Sequence, residues 1–415
     1  MVRRSRLVQP LCVAGAVFVL LPDPASAAGF AIREQSGSFQ GLSYAGVAAG
    51  GRDISTMYFN PATLGRHDGK QVHLSVSYIV PRAEFENGTA TDRFTNTVSG
   101  GDGGDIALDA PVPATYAMIA AGDWRFGLGV TAPFGLETKQ PEDWIGRYHA
   151  TRSELITINI NPTIAYRLHD RLTVGAGFVA QYADATLGNS VLVAPGVDAQ
   201  VEVEGDDWDY GFTLGLWTEP LDGTRIGLGY RSQVNHSLSG KRTSTIPAAV
   251  PIVGGRAALQ TPQIASFGIQ QDLGTAWTLH GTVEWTGWST FDELLVTFDN
   301  GTSDRTEERW DDTWFFAVGA EYRPRHDLVL QLGVAYDQGA SPDAYRTPRI
   351  PDADRTWLSL GADWRPYDWL NVGAAYSHIF VDDGPVALDV DGRGTLRGNF
   401  ESSVDIVTLQ GTLRF

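Results

Sequence analysis

Beyond about residue 70, apolar and polar residues alternate with period two, the pattern of strands that face two different environments. From Leu328 the apolar positions are Leu328, Leu330, Leu332, Val334 and Tyr336, with Val329, Gln331, Gly333, Ala335 and Asp337 between them. Trp208, Tyr210, Phe212, Leu214 and Leu216 alternate with Asp207, Asp209, Gly211, Thr213 and Gly215. Val407, Leu409, Leu413 and Phe415 alternate with Thr408, Gln410, Thr412 and Arg414. Fourteen such stretches begin near Lys70, Thr115, Arg125, Ser153, Arg171, Val201, Thr224, Ala258, Ala276, Thr306, Asp327, Arg355, Trp369 and Ser402. Soluble strands usually hold ~5–6 residues. These are longer and suit the ~9–11 residues of a tilted membrane-spanning strand.

The connections carry the second signal. Those after odd-numbered stretches are long, at about 81–114, 139–152, 185–200, 240–257, 300–305, 339–354 and 383–401. Those after even-numbered stretches are short and turn-like, such as Gly122-Asp123-Trp124 and His169-Asp170. Short periplasmic turns and long outer loops, with both ends inside, predict an all-β fold: a transmembrane antiparallel β-barrel of 14 strands in a bacterial outer membrane. Phe415, a terminal aromatic on an alternating last strand, is the expected signal to the barrel-assembly machinery. Outer-membrane lipid is the expected surroundings of the outward face.

Composition adds limits. The chain has 415 residues and a formal charge of −18, which argues against a nucleic-acid partner. A mean hydropathy of −0.14 argues against a bundle of membrane helices. Arg3, Arg4 and Arg6, the apolar run Leu11–Leu21 and the triplet Ala25-Ser26-Ala27 read as a signal peptide (1–27) cleaved after Ala27. Cys12, the single Cys, falls inside it, so the exported chain depends on no disulfide.

Residues 28–69 do not alternate. They are rich in glycine but carry Phe30, Ile32, Phe39, Leu42, Tyr44, Val47, Ile54, Met57, Tyr58 and Phe59, too many apolar groups for a solvated tail. Fourteen strands enclose a lumen that strand side chains alone do not fill. An N-terminal plug (hatch, 28–69) inside the lumen of a barrel (70–415) follows.

Ala28-Gly29-Phe30, the hatch string Asn60-Pro61-Ala62, Tyr166-Arg167-Leu168, Trp285-Thr286-Gly287-Trp288-Ser289 and Ile350-Pro351-Asp352-Ala353-Asp354-Arg355 resemble the FadL/TodX family of outer-membrane transporters for long-chain fatty acids and aromatic hydrocarbons. The resemblance implies passive movement of a hydrophobic small molecule: capture at outer loops, binding inside the plugged barrel, and sideways release at a kinked third strand. The kink aligns with Ala132-Pro133-Phe134-Gly135-Leu136, where Pro133 removes a ladder donor and Gly135 weakens pairing. Fatty-acid members place basic side chains in the pocket. The corresponding positions here fall near Asn189 and Leu295, neither basic, which leaves Arg167 and Arg231 as candidate lumen cations for a carboxylate.

Two apolar runs in outer loops, Val191-Leu192-Val193 and Ile246 through Val253 with Val250 and Ile252, are candidate capture residues, with packing against themselves as the alternative. The sequence carries no recognised catalytic motif or metal-ligand spacing, and neither an enzyme nor a cofactor is expected. A general porin for polar solutes is the alternative function.

Overall fold

A computed structural model describes residues 29–415; the expected leader and its cleavage point lie outside the described residues. The barrel strands are β1 (Lys70–Thr91), β2 (Ala110–Ala121), β3 (Trp124–Thr131, continued by Gly135–Lys139), β4 (Arg152–His169), β5 (Leu172–Ala194), β6 (Val197–Leu221) and β7 (Thr224–Arg231, continued by Val234–Ser244). There follow β8 (Val253–Thr261 and Ile264–Leu273), β9 (Trp277–Thr286 and Glu293–Phe298), β10 (Ser303–Glu307 and Thr313–Arg325), β11 (Leu328–Asp337), β12 (Arg355–Tyr367), β13 (Leu370–Val381 and Gly384–Val390) and β14 (Gly394–Arg414). Each pairs antiparallel with its sequence neighbours, and β14 pairs with β1 from Gln71↔Arg414 to Thr91↔Thr395, which closes a barrel of 14 strands.

Its polarity is inverted relative to a soluble barrel. Leu74, Val76 and Tyr78 of β1 and Ile156, Ile158 and Ile160 of β4 point outward and are exposed. His73, Ser75, Ser77, Thr157, Asn159 and Asn161, between them, are buried on the inner face. Aromatic pairs gather at the short-turn end, Trp124–Tyr166 at 4.5 Å and Trp277–Tyr322 at 4.6 Å between ring centroids. Tyr182–Trp208 and Phe178–Tyr210 stand farther toward the loops. Two aromatic levels flanking an apolar band mark the two membrane–water interfaces.

Several expected outer loops are strand instead. The β5–β6 hairpin turns only at Pro195-Gly196, so Val191, Leu192 and Val193 belong to β5, and Val253 opens β8. β1 runs on to Thr91, β2 starts at Ala110, and β13 and β14 form a hairpin through residues 384–400. Beyond the lipid the outward residues turn polar, as with Glu202, Glu204 and Asp206 of β6. The apolar half of the alternation then vanishes while hydrogen-bond pairing continues.

Residues 29–69 lie inside the barrel, nearly all buried, as a short helical turn at Gly37–Gln40 and three 3₁₀ turns. Asp53 caps the turn Ile54–Tyr58, and Asn60 caps Pro61–Arg66, where proline suits the first position. Bare backbone in the wall lets the hatch lie flat against it. A Cβ on Gly215 would stand 2.0 Å from Asn60 Oδ1, and one on Gly227 1.8 Å from the Ala48 carbonyl. Asn60 Nδ2 donates to Ala48 O at 2.7 Å and Leu216 O at 3.0 Å. Across the lumen, ion pairs Arg33–Glu284 (2.6 Å) and Arg52–Glu321 (2.7 Å) tie the hatch to β9 and β10. At the seam, Phe415 donates its N–H to Lys70 O at 2.9 Å, and its side chain is exposed.

Candidate functional site

The wall is incomplete beside β3. β2 and β3 pair from Ala121↔Trp124 only as far as Thr115↔Val130. Against β4, β3 pairs up to Thr131↔Asn159 and resumes at Gly135↔Ile156. Residues 132–134 thus oppose two residues of β4, a bulge that bends the strand inward. Above it Ala110–Ala114 of β2 remain paired with β1, but among the described residues they have no partner on β3. Pro111 and Pro113 fall in this one-sided stretch. Proline belongs on sheet edges because it lacks a donor, so the sequence of β2 matches its bare edge.

The hatch takes the place of the missing neighbour. Ala31 bridges Phe134 antiparallel, Ile32 N–H donates to Pro133 O at 2.8 Å, and Gly135 N–H donates to Phe30 O at 3.0 Å. Gln35 Nε2 donates to Ala132 O at 2.8 Å, and Thr157 holds Phe134 from the β4 side. Above the gap, Ile106 and Ala107 bridge β1 to the upper part of β3 through Ile106 N–H to Ala83 O (3.0 Å) and Lys139 N–H to Ile106 O (2.8 Å).

A cavity of about 520 Å³ runs from the hatch to this gap. Its lining includes inward residues such as Val112, Leu155 and Thr157 and outward ones such as Pro113, Ile156 and Ile158. One cavity lined by both faces of the same strands passes through the wall. A second, narrower cavity of about 80 Å³ lies beside it, almost wholly apolar, walled by Leu155, Leu187, Leu238, Leu259 and Val296. Phe30 lines both cavities. Its ring sits edge-on to Trp288 at 4.7 Å and Phe291 at 5.5 Å, with Trp310 at 5.5 Å and Phe134 at 5.9 Å. Gly29 N–H, donating to buried Asp352 Oδ2 at 3.1 Å, fixes that end of the chain.

The two lumen cations read from the sequence part company. Arg231 lines the larger cavity, donates to Tyr58 O at 3.0 Å, lies 4.1 Å over the Tyr58 ring, and has an unpartnered Nη1 among the described residues. Arg167 lies by the periplasmic turn, donating to Gly65 O and pairing with Asp68 at 3.0 Å; it lines neither apolar cavity. Asn189 and Leu295 line neither cavity. Arg349 and Glu308, not singled out by sequence, stand at the narrow cavity. Burial pushes the Glu308 carboxyl up to about 8, although Trp310 Nε1 donates to it at 3.2 Å. Glu308 offered no alternation signal, because residues 308–312 interrupt β10.

The capture candidates do not form one patch. Leu192 is buried with Phe85, Trp144, Val386 and Phe400 in an apolar cluster of the outer segments. Ile246, Val250 and Ile252 belong to the connection before β8, where Ile252 is exposed. Among the described residues no group of three or more His, Cys, Asp or Glu is placed to hold a metal ion.

An even-stranded barrel with an apolar outer band, a filled lumen and an internal apolar cavity is an outer-membrane transport barrel. The sequence matches the family described as outer membrane protein transport protein (OMPP1/FadL/TodX) over residues 18–415. It is 30% identical to a putative outer membrane protein of Neisseria meningitidis serogroup B over 99% of both chains. It is 28% identical to the long-chain fatty acid transport protein of Escherichia coli O6:H1, covering 92% of this chain and 93% of that one. The crystal structure of a Pseudomonas aeruginosa FadL homologue superposes with a TM-score of 0.87 at 25% identity, covering 94% of this chain and 100% of that one. The chain belongs to the OMPP1/FadL/TodX family: it is an outer-membrane transport protein and not an enzyme.

Proposed function

We propose that the protein moves hydrophobic small molecules, long-chain fatty acids or neutral and aromatic hydrocarbons, passively into the outer membrane. The ligand is captured among the outer segments and binds in the apolar cavity against Phe30. It leaves sideways through the gap between β2 and β3. The observation that carries this reading is the single cavity lined by both faces of the wall beside Pro133, Phe134 and Gly135. An apolar solute gains nothing by crossing to the aqueous periplasm, whereas an opening at membrane level delivers it into hydrocarbon. Phe30 stands between the two cavities, so displacing its ring joins them into one path. The relatives named as long-chain fatty acid transport proteins support the fatty-acid form of the reading. Arg231 and Arg349 supply the cations that a buried carboxylate requires.

The test is uptake by cells lacking their own transporter of this kind, given labelled long-chain fatty acid, labelled toluene and a labelled disaccharide. Saturable uptake of either apolar solute with exclusion of the sugar supports the proposal. Sugar uptake without apolar uptake would replace it with a general porin.

A further inference from the structure

At the outer end of the barrel lies a polar cavity of about 360 Å³ that shares only Arg349 with the narrow apolar cavity. Four segments distant in sequence meet around it. They are His149 ahead of β4, Arg305 to Glu307 of β10, Ala344 to Arg349 between β11 and β12, and Leu388 to Arg393 at the β13–β14 turn. Two polar atoms in its lining, His149 Nε2 and Thr347 Oγ1, have no partner among the described residues, and each residue is only 3% exposed. A buried polar atom without a partner is costly. On two residues of the lining, such atoms are the groups a polar occupant would satisfy.

The charge of the lining selects its sign. Arg349 is 5% exposed, and among the described residues it has no carboxylate within ion-pair distance. It hydrogen-bonds through Nη1 alone, to Arg152 O at 3.1 Å, Ser153 Oγ at 3.4 Å and Gly188 O at 3.3 Å. Burial, with Arg393 nearby, pulls its guanidinium down to about 10, as expected for a cation left short of counter-charge. Burial together with Arg393 and Arg349 brings the His149 imidazole down to about 3, so His149 is neutral and free to donate through one ring nitrogen. The lining carboxylates do not cancel this. Glu307 pairs with Arg309 at 2.8 Å, and Asp389 and Asp391 are at the exposed edge. Arg393 pairs with Asp304 at 2.5 Å, which fixes its guanidinium at the cavity.

We propose that this cavity is a binding site for an oxyanion, a phosphate or carboxylate group, held by Arg349 and Arg393 with Thr347 and His149 as hydrogen-bond donors. Guanidinium groups match the planar spread of such oxygens. Bound there, the anion contacts segments that are distant in sequence. Arg349 also lines the narrow apolar cavity. A free anion fills the polar cavity alone, whereas an amphiphile lays its head there and its tail in the apolar cavity. The amphiphile form rests on the proposed function, whereas binding of a free anion is independent of it.

The test is calorimetric titration of the full, detergent-solubilised chain at fixed ionic strength with inorganic phosphate, acetate and decanoate. Saturable binding of phosphate or acetate identifies a free-anion site. Because the transport cavity also takes decanoate, binding of decanoate alone identifies a head-group site only through its loss in Arg393→Gln, a residue that lines the polar cavity and neither apolar one. Either supports the proposal if Arg393→Gln weakens it tenfold or more. Thr347→Val is the control for folding: it removes only an unpaired hydroxyl, so the barrel keeps its heat-resistant gel mobility while anion affinity falls severalfold. Absence of saturable binding with all three probes, or unchanged affinity in both variants, would overturn the proposal, leaving the cavity filled by water.

Discussion

The backbone N–H of Ile32 donates to the carbonyl of Pro133 at 2.8 Å. A plug residue therefore occupies the hydrogen-bonding position that a β2 residue would fill in an unbroken sheet. The plug and the gap in the wall are one construction: the kink can face inward because the hatch satisfies its backbone.

Ile32→Pro removes that donor, a change of about 0.5–1.5 kcal/mol, and shortens a side chain that lines the larger cavity. Ala31 is already paired as extended backbone, the conformation a following proline favours. The bulged segment, released from inside, should swing toward the bare edge at Ala110–Ala114 and narrow the gap. Uptake of labelled fatty acid should fall severalfold while the purified protein still folds and binds. Uptake equal to the parent would show that the inner hydrogen bond does not hold the gap open.

Gly215 lies under Asn60, with no room for a side chain. Gly215→Val should push the Asn60-Pro61-Ala62 turn off the wall and leave Ala48 O and Leu216 O without their donor. Unpaired buried carbonyls cost roughly 1–3 kcal/mol each. Planar-bilayer recordings should show higher conductance for small ions than the parent. Conductance that stays at the parent level would count against a sealing role for the hatch.

Phe30→Ala removes the ring shared by the two cavities. Large-to-small changes at packed aromatics cost about 3–5 kcal/mol, here concentrated on the hatch's first residues. The indoles of Trp288 and Trp310, now facing a joined and wetter cavity, should shift their emission to the red. Bound fatty acid should dissociate faster. An unshifted spectrum with unchanged dissociation would mean that Phe30 does not separate the cavities.

Glu308 gives the pH dependence. Its carboxyl, raised from 4.5 to about 8, keeps a proton in the folded protein that the unfolded chain has lost. Its protonation therefore favours the fold at low pH, and that advantage falls away as pH rises from about 4.5 through about 8. Above about 8 an ionised Glu308 faces the narrow cavity and repels a carboxylate ligand. Decanoate affinity should drop from pH 7 to pH 9 by about tenfold, the equivalent of one pKa unit. Toluene affinity should stay level, and Glu308→Gln should flatten the decanoate curve. A drop that persists in Glu308→Gln would assign it to another group.

The strand count, the side carrying the short turns and the presence of a hatch were all legible in the sequence. Membrane strands must alternate wherever lipid meets a polar lumen, as in Leu328–Tyr336. The pattern stops reporting where neither face meets lipid, so the outer ends of β1, β5, β6 and β13 read as loops. Alternation also tells which way a side chain points but not what lies at its level. Arg167 and Arg231 looked equivalent, although the nearness of Arg167 to the turn at His169-Asp170 placed it at the periplasmic end. The one-sided stretch of β2 had its own signal in Pro111 and Pro113. Arg349 had none: its surroundings come from strands and connections brought together only by folding.

The most direct test is to close the wall. In Pro133→Val combined with Gly135→Val, β3 regains a donor and β-forming residues, and the added Cβ at position 135 crowds the flexible end of Ile32 and stands at ordinary contact distance, 3.5 Å, from Leu155 O. A further pair of changes, Pro111→Val and Pro113→Val, gives the bare edge of β2 its donors, and a crystal structure of the combined variant establishes that residues 110–114 now pair with β3. Labelled fatty-acid uptake and equilibrium binding are then measured on the same variant. The account predicts binding close to that of the parent and uptake reduced to the empty-vector level. Undiminished uptake through a wall shown to be closed would contradict lateral release.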